Sequence, residues 1–221
     1  MKKLLIFLSL LIMAALLGCV YIYTNVNGSL QMKAVTAGCF VAIGYLGLVY
    51  TVLCKGRPAF AATLLLGLIL AMAGDLTLGK SFILGAGLFA GGHILYAAAM
   101  YIRQRFAWLD ALLSLGMLLI ALAVLTFTPG LTFSDPAMRI VCYVYAVIIS
   151  CMAGKAISGF LRQRTLANGL LALGSVMFYF SDVMLLLSWF AGAGRWADLA
   201  CCWTYFPGQG ILALSLPAGA R

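Results

Sequence analysis

The chain has 221 residues, 65% of them hydrophobic and 9% charged, with a mean hydropathy of +1.13. A soluble domain carries about a quarter charged residues, and the deficit here runs from end to end, which excludes a separate water-soluble domain and points to the bilayer. The net charge of +9, from 14 Lys and Arg against five Asp, would suggest nucleic acid in a soluble protein, but no basic patch interleaved with exposed aromatics is present to support it.

A helix needs roughly 20 apolar residues to cross the hydrocarbon core. Runs at 4–23, 33–53, 59–79, 81–101, 107–127, 136–158, 165–190 and 197–216 predict an all-α polytopic bundle of eight spans, a single integral membrane domain over 1–221. In the first span, Lys2-Lys3 and Leu16-Leu17-Gly18-Cys19 imitate a lipoprotein signal. The apolar run continues through Val20, Tyr21, Ile22 and Tyr23, longer than a signal's hydrophobic region, so it is read as a span. The turn Asn25-Val26-Asn27-Gly28 separates it from the second span, which Lys33 opens. Gly56-Arg57-Pro58 precedes the third, which carries Gly74-Asp75. The fourth holds His93 and, one helical turn on, Tyr96. Its Gly85-Ala86-Gly87 lacks the preceding strand of a dinucleotide site, and Gly87-x-x-x-Gly91 reads as a close helix-packing face. Ser134-Asp135-Pro136 caps and opens the sixth span, which carries Tyr145. The seventh carries Ser181-Asp182, and the eighth Trp203, Tyr205, Pro207 and Gln209. Pro207 predicts a kink in that helix, and Gln209, costly in lipid, is expected to face inward.

Most basic residues fall near the joints, where they orient the spans. With the N-terminus in the cytoplasm, Lys2, Lys3, Lys55, Arg57, Arg103, Arg105, Lys155, Arg162, Arg164 and Arg221 lie inside, and Lys33, Lys80, Arg139 and Arg195 lie near the opposite face. That bias predicts both termini in the cytoplasm, and the compact loops suit a bacterial inner membrane. The pair Gly74-Asp75 and Gly85-Ala86-Gly87 is echoed by Ser181-Asp182 and Gly192-Ala193-Gly194 at a constant offset, as two parallel four-helix halves would give.

Asp75 and Asp182 sit well inside apolar runs. An ionised carboxylate there costs at least ~2.5–3.5 kcal/mol and generally faces an interior cavity. The competing explanation is structural, a buried hydrogen bond or an ion pair with Lys33. Asp110, Asp135 and Asp198 lie at helix beginnings, where capping and the helix dipole account for them. His93, the single histidine, is either a satisfied core group or a group that orients or protonates a reacting atom. The seven cysteines form no C-x-x-C pair and lie mostly in apolar runs as small hydrophobes. No metal site, no cofactor and no obligate protein partner is expected, and no Gly-x-Ser-x-Gly motif is present.

The ordered set of Lys33, Gly74-Asp75, His93-x-x-Tyr96, Tyr145, Ser181-Asp182 and Tyr205-x-x-x-Gln209 resembles the YhhN-like lysoplasmalogenase family, over nearly the whole chain. The resemblance implies a membrane hydrolase that cleaves the vinyl ether of a lysoplasmalogen to a fatty aldehyde and glycerophosphoethanolamine or glycerophosphocholine. It makes Asp75 and Asp182 the catalytic pair and Lys33, His93, Tyr96, Tyr145, Tyr205 and Gln209 the substrate-binding residues. One carboxyl would protonate the alkene and the other, ionised, would activate water; the acid is taken to be Asp182. Lys33 and the tyrosines would meet the phosphate and headgroup, and the chain would lie in an apolar groove between helices. A small proton-coupled transporter is the alternative, since buried carboxylates, a parallel repeat and a proline-broken helix all fit one. A third reading has the aspartates merely packing helices in a structural or lipid-binding protein.

Overall fold

The computed structural model describes residues 1–219; Arg221, which the charge argument sets on the inner face, lies outside the described residues. Eight helices follow one another: α1 Lys2–Asn25, α2 Leu30–Leu53, α3 Pro58–Thr77, α4 Phe82–Arg103, α5 Trp108–Phe127, α6 Pro136–Arg162, α7 Leu166–Phe190 and α8 Arg195–Gly219. Each joint carries the chemistry that starts the next helix. Ser29, Ser81 and Thr165 accept hydrogen bonds from the backbone of Met32, Leu84 and Asn168, and Asp135 accepts one from the amide of Ala137 at 2.8 Å. Pro58 and Pro136 occupy first helical positions, where no amide donor is missed. Gly192 and Gly194, at φ +64° and +74°, turn the chain from α7 into α8 through a region that few other residues enter.

Helices α1 to α7 are each long and apolar enough to cross a membrane. The exception is α8, which carries Arg195, Asp198 and Gln209 and packs against α1, α2, α3 and α7. The eight expected spans thus correspond to eight helices, but the last depends on the other helices, not on its own composition, for burial. Lys33 lies a turn inside α2 rather than at its start. Large apolar side chains point outward, with Phe7 62%, Leu119 58% and Phe127 79% exposed. A water-soluble bundle could not carry such a surface, and a hydrocarbon solvent requires it. The protein is a polytopic membrane helix bundle.

Inside, small residues set the spacing, as expected where lipid supplies no hydrophobic drive between helices. A Cβ placed on Gly67 would lie 2.5 Å from the Tyr96 ring and 3.2 Å from the Gly92 carbonyl, so α3 and α4 touch there. Gly174 and Gly208 do the same for α7 and α8, with a Cβ on Gly174 falling 2.8 Å from the Gly208 carbonyl. The expected Gly87-x-x-x-Gly91 face packs only in part. Gly87 is exposed and a Cβ there would meet nothing within 4 Å among the described residues, whereas one on Gly91 would lie 3.1 Å from Leu70; Gly85 against Leu78 and Gly92 against Gly67 make the backbone approaches.

The helices divide into α1–α4 and α5–α8. Neighbours in sequence pack in each half, and between the halves α2 lies on α8 while α6 lies on α4. Exchanging the halves carries one of these contacts into the other, the pattern of a parallel repeat. The Gly-Ala-Gly echo does not share it: residues 85–87 are helical, whereas 192–194 form the α7–α8 turn.

The end of the bundle that holds Lys2 and Gly219 is closed by a polar cluster. Lys155, expected among the joint cations, is instead 1% exposed within α6, its ammonium 2.9 Å from Asp110 Oδ2 and 3.2 Å from the Arg105 carbonyl. A side chain long enough to reach this carboxylate draws the charge inward from a helix that runs four residues further than expected. Arg162 stands 3.6 Å from Asp110 Oδ1. Asp110 also accepts the amide of Ala107 at 2.9 Å, so it caps α5 as expected and pairs α5 to α6 besides. Beside it Arg103 donates to Asn168 at 3.0 Å and Gln104 donates to Gln163 at 3.0 Å.

Candidate functional site

Asp75 and Asp182 stand at nearly the same distance from the starts of α3 and α7, toward the end of the bundle opposite that cluster. The α3 helix stops at Thr77, just past Asp75, whereas α7 continues to Phe190. Each carboxylate is engaged from two further helices. Asp75 Oδ1 is 3.2 Å from the Lys33 ammonium of α2, and its Oδ2 accepts from the Tyr205 hydroxyl of α8 at 2.7 Å. Asp182 Oδ2 accepts from the Tyr145 hydroxyl of α6 at 2.6 Å and lies 3.4 Å from His93 Nε2 of α4. Thus a side chain from the second helix of the same half and one from the fourth helix of the other half meet each aspartate.

The two settings differ. Both oxygens of Asp75 are occupied, and its side chain is 3% exposed. Asp182 is 17% exposed, and its Oδ1 has no hydrogen-bond partner among the described residues. Behind it, His93 Nε2 is 2.7 Å from the Tyr145 oxygen, and Nδ1 faces the Met152 sulfur at 3.2 Å. This row accommodates two proton placements. In one, His93 donates to Tyr145 and Tyr145 to an ionised Asp182. In the other, a protonated Asp182 donates to Tyr145 and Tyr145 to His93.

Two cavities meet here. A polar vestibule of about 630 Å³ opens at the α1–α2, α3–α4 and α7–α8 turns, with Lys33, Asp75, Asp182 and Tyr205 in its wall. A narrower apolar groove of about 90 Å³ runs between α4, α5, α6 and α7, with Tyr145, Ala146, Ala121 and Ile149 among its lining. Leu78, Phe89, Asp182, Leu185 and Trp189 belong to both walls. Asp182 therefore stands where the apolar groove meets the cavity lined by charged side chains, while Asp75 faces only the latter.

Not every residue named from sequence touches these spaces. Lys33, Tyr205 and Tyr145 do. His93, Tyr96 and Gln209 are fully buried and line neither. The Tyr96 hydroxyl donates to Gln209 Oε1 at 2.6 Å, a brace between α4 and α8 near Pro207. Ser181 is turned back to the Phe178 carbonyl at 2.7 Å and does not engage its neighbour Asp182.

Sequence reasoning passed over Phe178, one turn before Asp182. Its buried ring lies 4.4 Å from the His93 ring and 5.1 Å from that of Tyr205, between the two carboxylate networks. The helical spacing to Asp182 was the available signal. Phe89, Trp189, Lys80, Arg195 and Asp198 were also missed as vestibule residues. Nothing in their spacing distinguishes them from ordinary lipid-facing or loop side chains.

Set against known proteins, residues 28–216 match the family model described as the YhhN family. No curated protein and no solved structure matches the chain.

Proposed function

The chain belongs to the YhhN family, and from that premise and the geometry of its two aspartates we propose that it hydrolyses the vinyl ether bond of a lysoplasmalogen. The observation that carries this reading is the position of Asp182 where an apolar groove meets a polar vestibule that also holds Asp75. A one-chain lipid has the matching shape: its alkenyl chain suits the groove, its glycerophosphate suits the vestibule, and its vinyl ether lies between them.

In this mechanism Asp182 is the acid, because its Oδ1 is open to the junction and Oδ2 rests on a hydroxyl that can both donate and accept. Its proton passes to the alkene carbon distal to oxygen, the π electrons form the new C–H bond, and an oxocarbenium ion results. Asp75, facing the vestibule, takes a proton from water as the water oxygen bonds to the carbon bearing the ether oxygen. The hemiacetal then collapses. Its hydroxyl proton returns to Asp182, the proton on Asp75 passes to the departing glycerol oxygen, and the C–O bond breaks to give aldehyde and alcohol. Both carboxyls end as they began. The anionic carboxylates also stabilise the cation in a site with little water. His93 positions Tyr145 and accommodates the proton shifts of Asp182; Tyr96 and Gln209 brace the helices that carry the site. The reading sets the vestibule on the membrane face away from the cytoplasm and both chain ends at the inner face of a bacterial cytoplasmic membrane.

Purified protein in detergent, supplied with lysoplasmalogen and no ion gradient, is expected to release fatty aldehyde. A proton-coupled carrier would release none, and that outcome would end the hydrolase reading. The groove makes a separate prediction. Ala146, 5% exposed and in the groove wall, replaced by Trp should obstruct the far part of a long chain. Ala146→Trp is expected to slow long-chain substrates by about tenfold or more while short-chain substrates keep most of their rate; equal slowing of both would count against the groove as the chain site.

A further inference from the structure

Four basic residues stand near the vestibule face, and the structure sorts them. Lys33 is bound to Asp75 at 3.2 Å, so its charge is already directed at a carboxylate. Arg139 lies over the Tyr143 ring, 6.0 Å from its centroid, away from the vestibule lining. Lys80 and Arg195 remain: both are exposed, both line the vestibule, and neither forms an ion pair among the described residues. Their places correspond. Lys80 lies in the α3–α4 turn and Arg195 opens α8 after the α7–α8 turn, so each half sends one cation to the same mouth. Asp198 also lines this mouth, and the Ser188 hydroxyl donates to its carboxylate.

Neither cation lies within ion-pair distance of a carboxylate among the described residues, although Asp75, Asp182 and Asp198 share the cavity wall, so both remain available to an anion that enters it. An arginine fork and a lysine point charge suit a phosphate, and the carboxylate beside them suits an ammonium. We propose that Lys80 and Arg195 form the subsite for a phosphodiester headgroup, with Asp198 placed for that headgroup's ammonium. The assignment rests on the vestibule being the polar half of a lysophospholipid site, and it moves the phosphate contact from Lys33, expected for that task, to two residues at the rim. Lys33 then serves Asp75. A zwitterionic glycerophospholipid with one chain is the class selected; a neutral glycerol ether is not.

The test uses binding, so that it does not depend on turnover. The full-length protein in a neutral, phosphate-free detergent is given a saturated 1-alkyl-glycerophosphocholine, which has no vinyl ether to cleave, or the corresponding 1-alkylglycerol. Wild type is expected to prefer the phosphate-bearing ligand by about tenfold or more in Kd. The Lys80→Gln/Arg195→Gln variant should lose most of that preference and bind the alkylglycerol within about twofold of wild type. The Asp198→Asn variant should bind the phosphocholine ligand more weakly and leave alkylglycerol binding unchanged. A wild type without the preference would overturn the proposal. So would a double variant that keeps it, or one that weakens both ligands equally. If the double variant keeps its ligand preference but binds anionic phospholipid vesicles less well, the two cations are contacts to the bilayer surface and the subsite is refuted. If the preference disappears as expected while wild type cleaves no vinyl ether, the phosphate subsite stands and the hydrolase reading falls.

Discussion

Purified Asp182→Asn protein is expected to release fatty aldehyde at least about a hundredfold more slowly than wild type, with KM little changed. Asparagine keeps the volume, and its carbonyl can still accept from the Tyr145 hydroxyl that now lies 2.6 Å from Oδ2; what it lacks is a proton that can be given to carbon. Asp75→Asn should lose turnover to a similar degree, but it has a second consequence. It leaves the Lys33 ammonium, on a side chain only 21% exposed, facing an amide in place of its carboxylate, so stability falls as well. Adding Lys33→Met to Asp75→Asn is expected to recover thermal stability without recovering aldehyde release. That pairing separates the carboxylate's chemistry from its structural bond. A folded Asp182→Asn protein with near wild-type rates would remove Asp182 as the acid.

The largest effect on stability is expected far from the vestibule. Lys155→Met leaves the Asp110 carboxylate, 1% exposed, with Arg162 at 3.6 Å as its remaining cation. Breaking a buried pair from one side typically costs about 3–5 kcal/mol, because the surviving charge loses its nearest partner where little water can replace it, and Arg162 at 3.6 Å offsets only part of that loss. Thermal unfolding in detergent should show the loss as a markedly lower Tm, and Lys155→Met/Asp110→Asn should recover much of it, since asparagine can still accept the Ala107 amide. Turnover per folded molecule should stay near wild type, because the cluster lies at the other end of the bundle. An unchanged Tm in Lys155→Met would mean that Arg162 alone suffices for Asp110.

How far the sequence could be read depended on whether the information was local. The spans were legible because lipid demands unbroken apolar length, and Asp75 and Asp182 because a carboxylate within such a run is conspicuous. Partnerships were less so. Asp75 with Lys33 was open to inspection, but Asp182 with Tyr145 and His93 joins three helices, and no spacing along one helix encodes which faces meet. Lys155 was assigned to the correct end, but its burial was not legible, because a cation near a helix end looks the same whether it reaches water or a buried Asp110. Gly87-x-x-x-Gly91 was read as the packing face from its spacing, but only the rotation of α4 within the bundle decides which of its glycines, Gly85, Gly91 and Gly92, meet a neighbour. Lys80 and Arg195 counted only as joint charges, since the mouth they share exists only once α3, α7 and α8 are assembled.

The crossed arrangement, in which each aspartate is completed by a residue from the opposite half, bears on how such a site could arise. Two copies of one unit present two equal carboxylates, and equal acids are poorly suited to a reaction that needs one proton donor and one acceptor. Here the neighbours contribute to the inequality: a lysine and a tyrosine around Asp75, a tyrosine and a histidine around Asp182. Were the two halves copies of one unit, changes at those flanking positions alone would set the two carboxylates apart. Neither four-helix half alone supplies all the partners of either carboxylate.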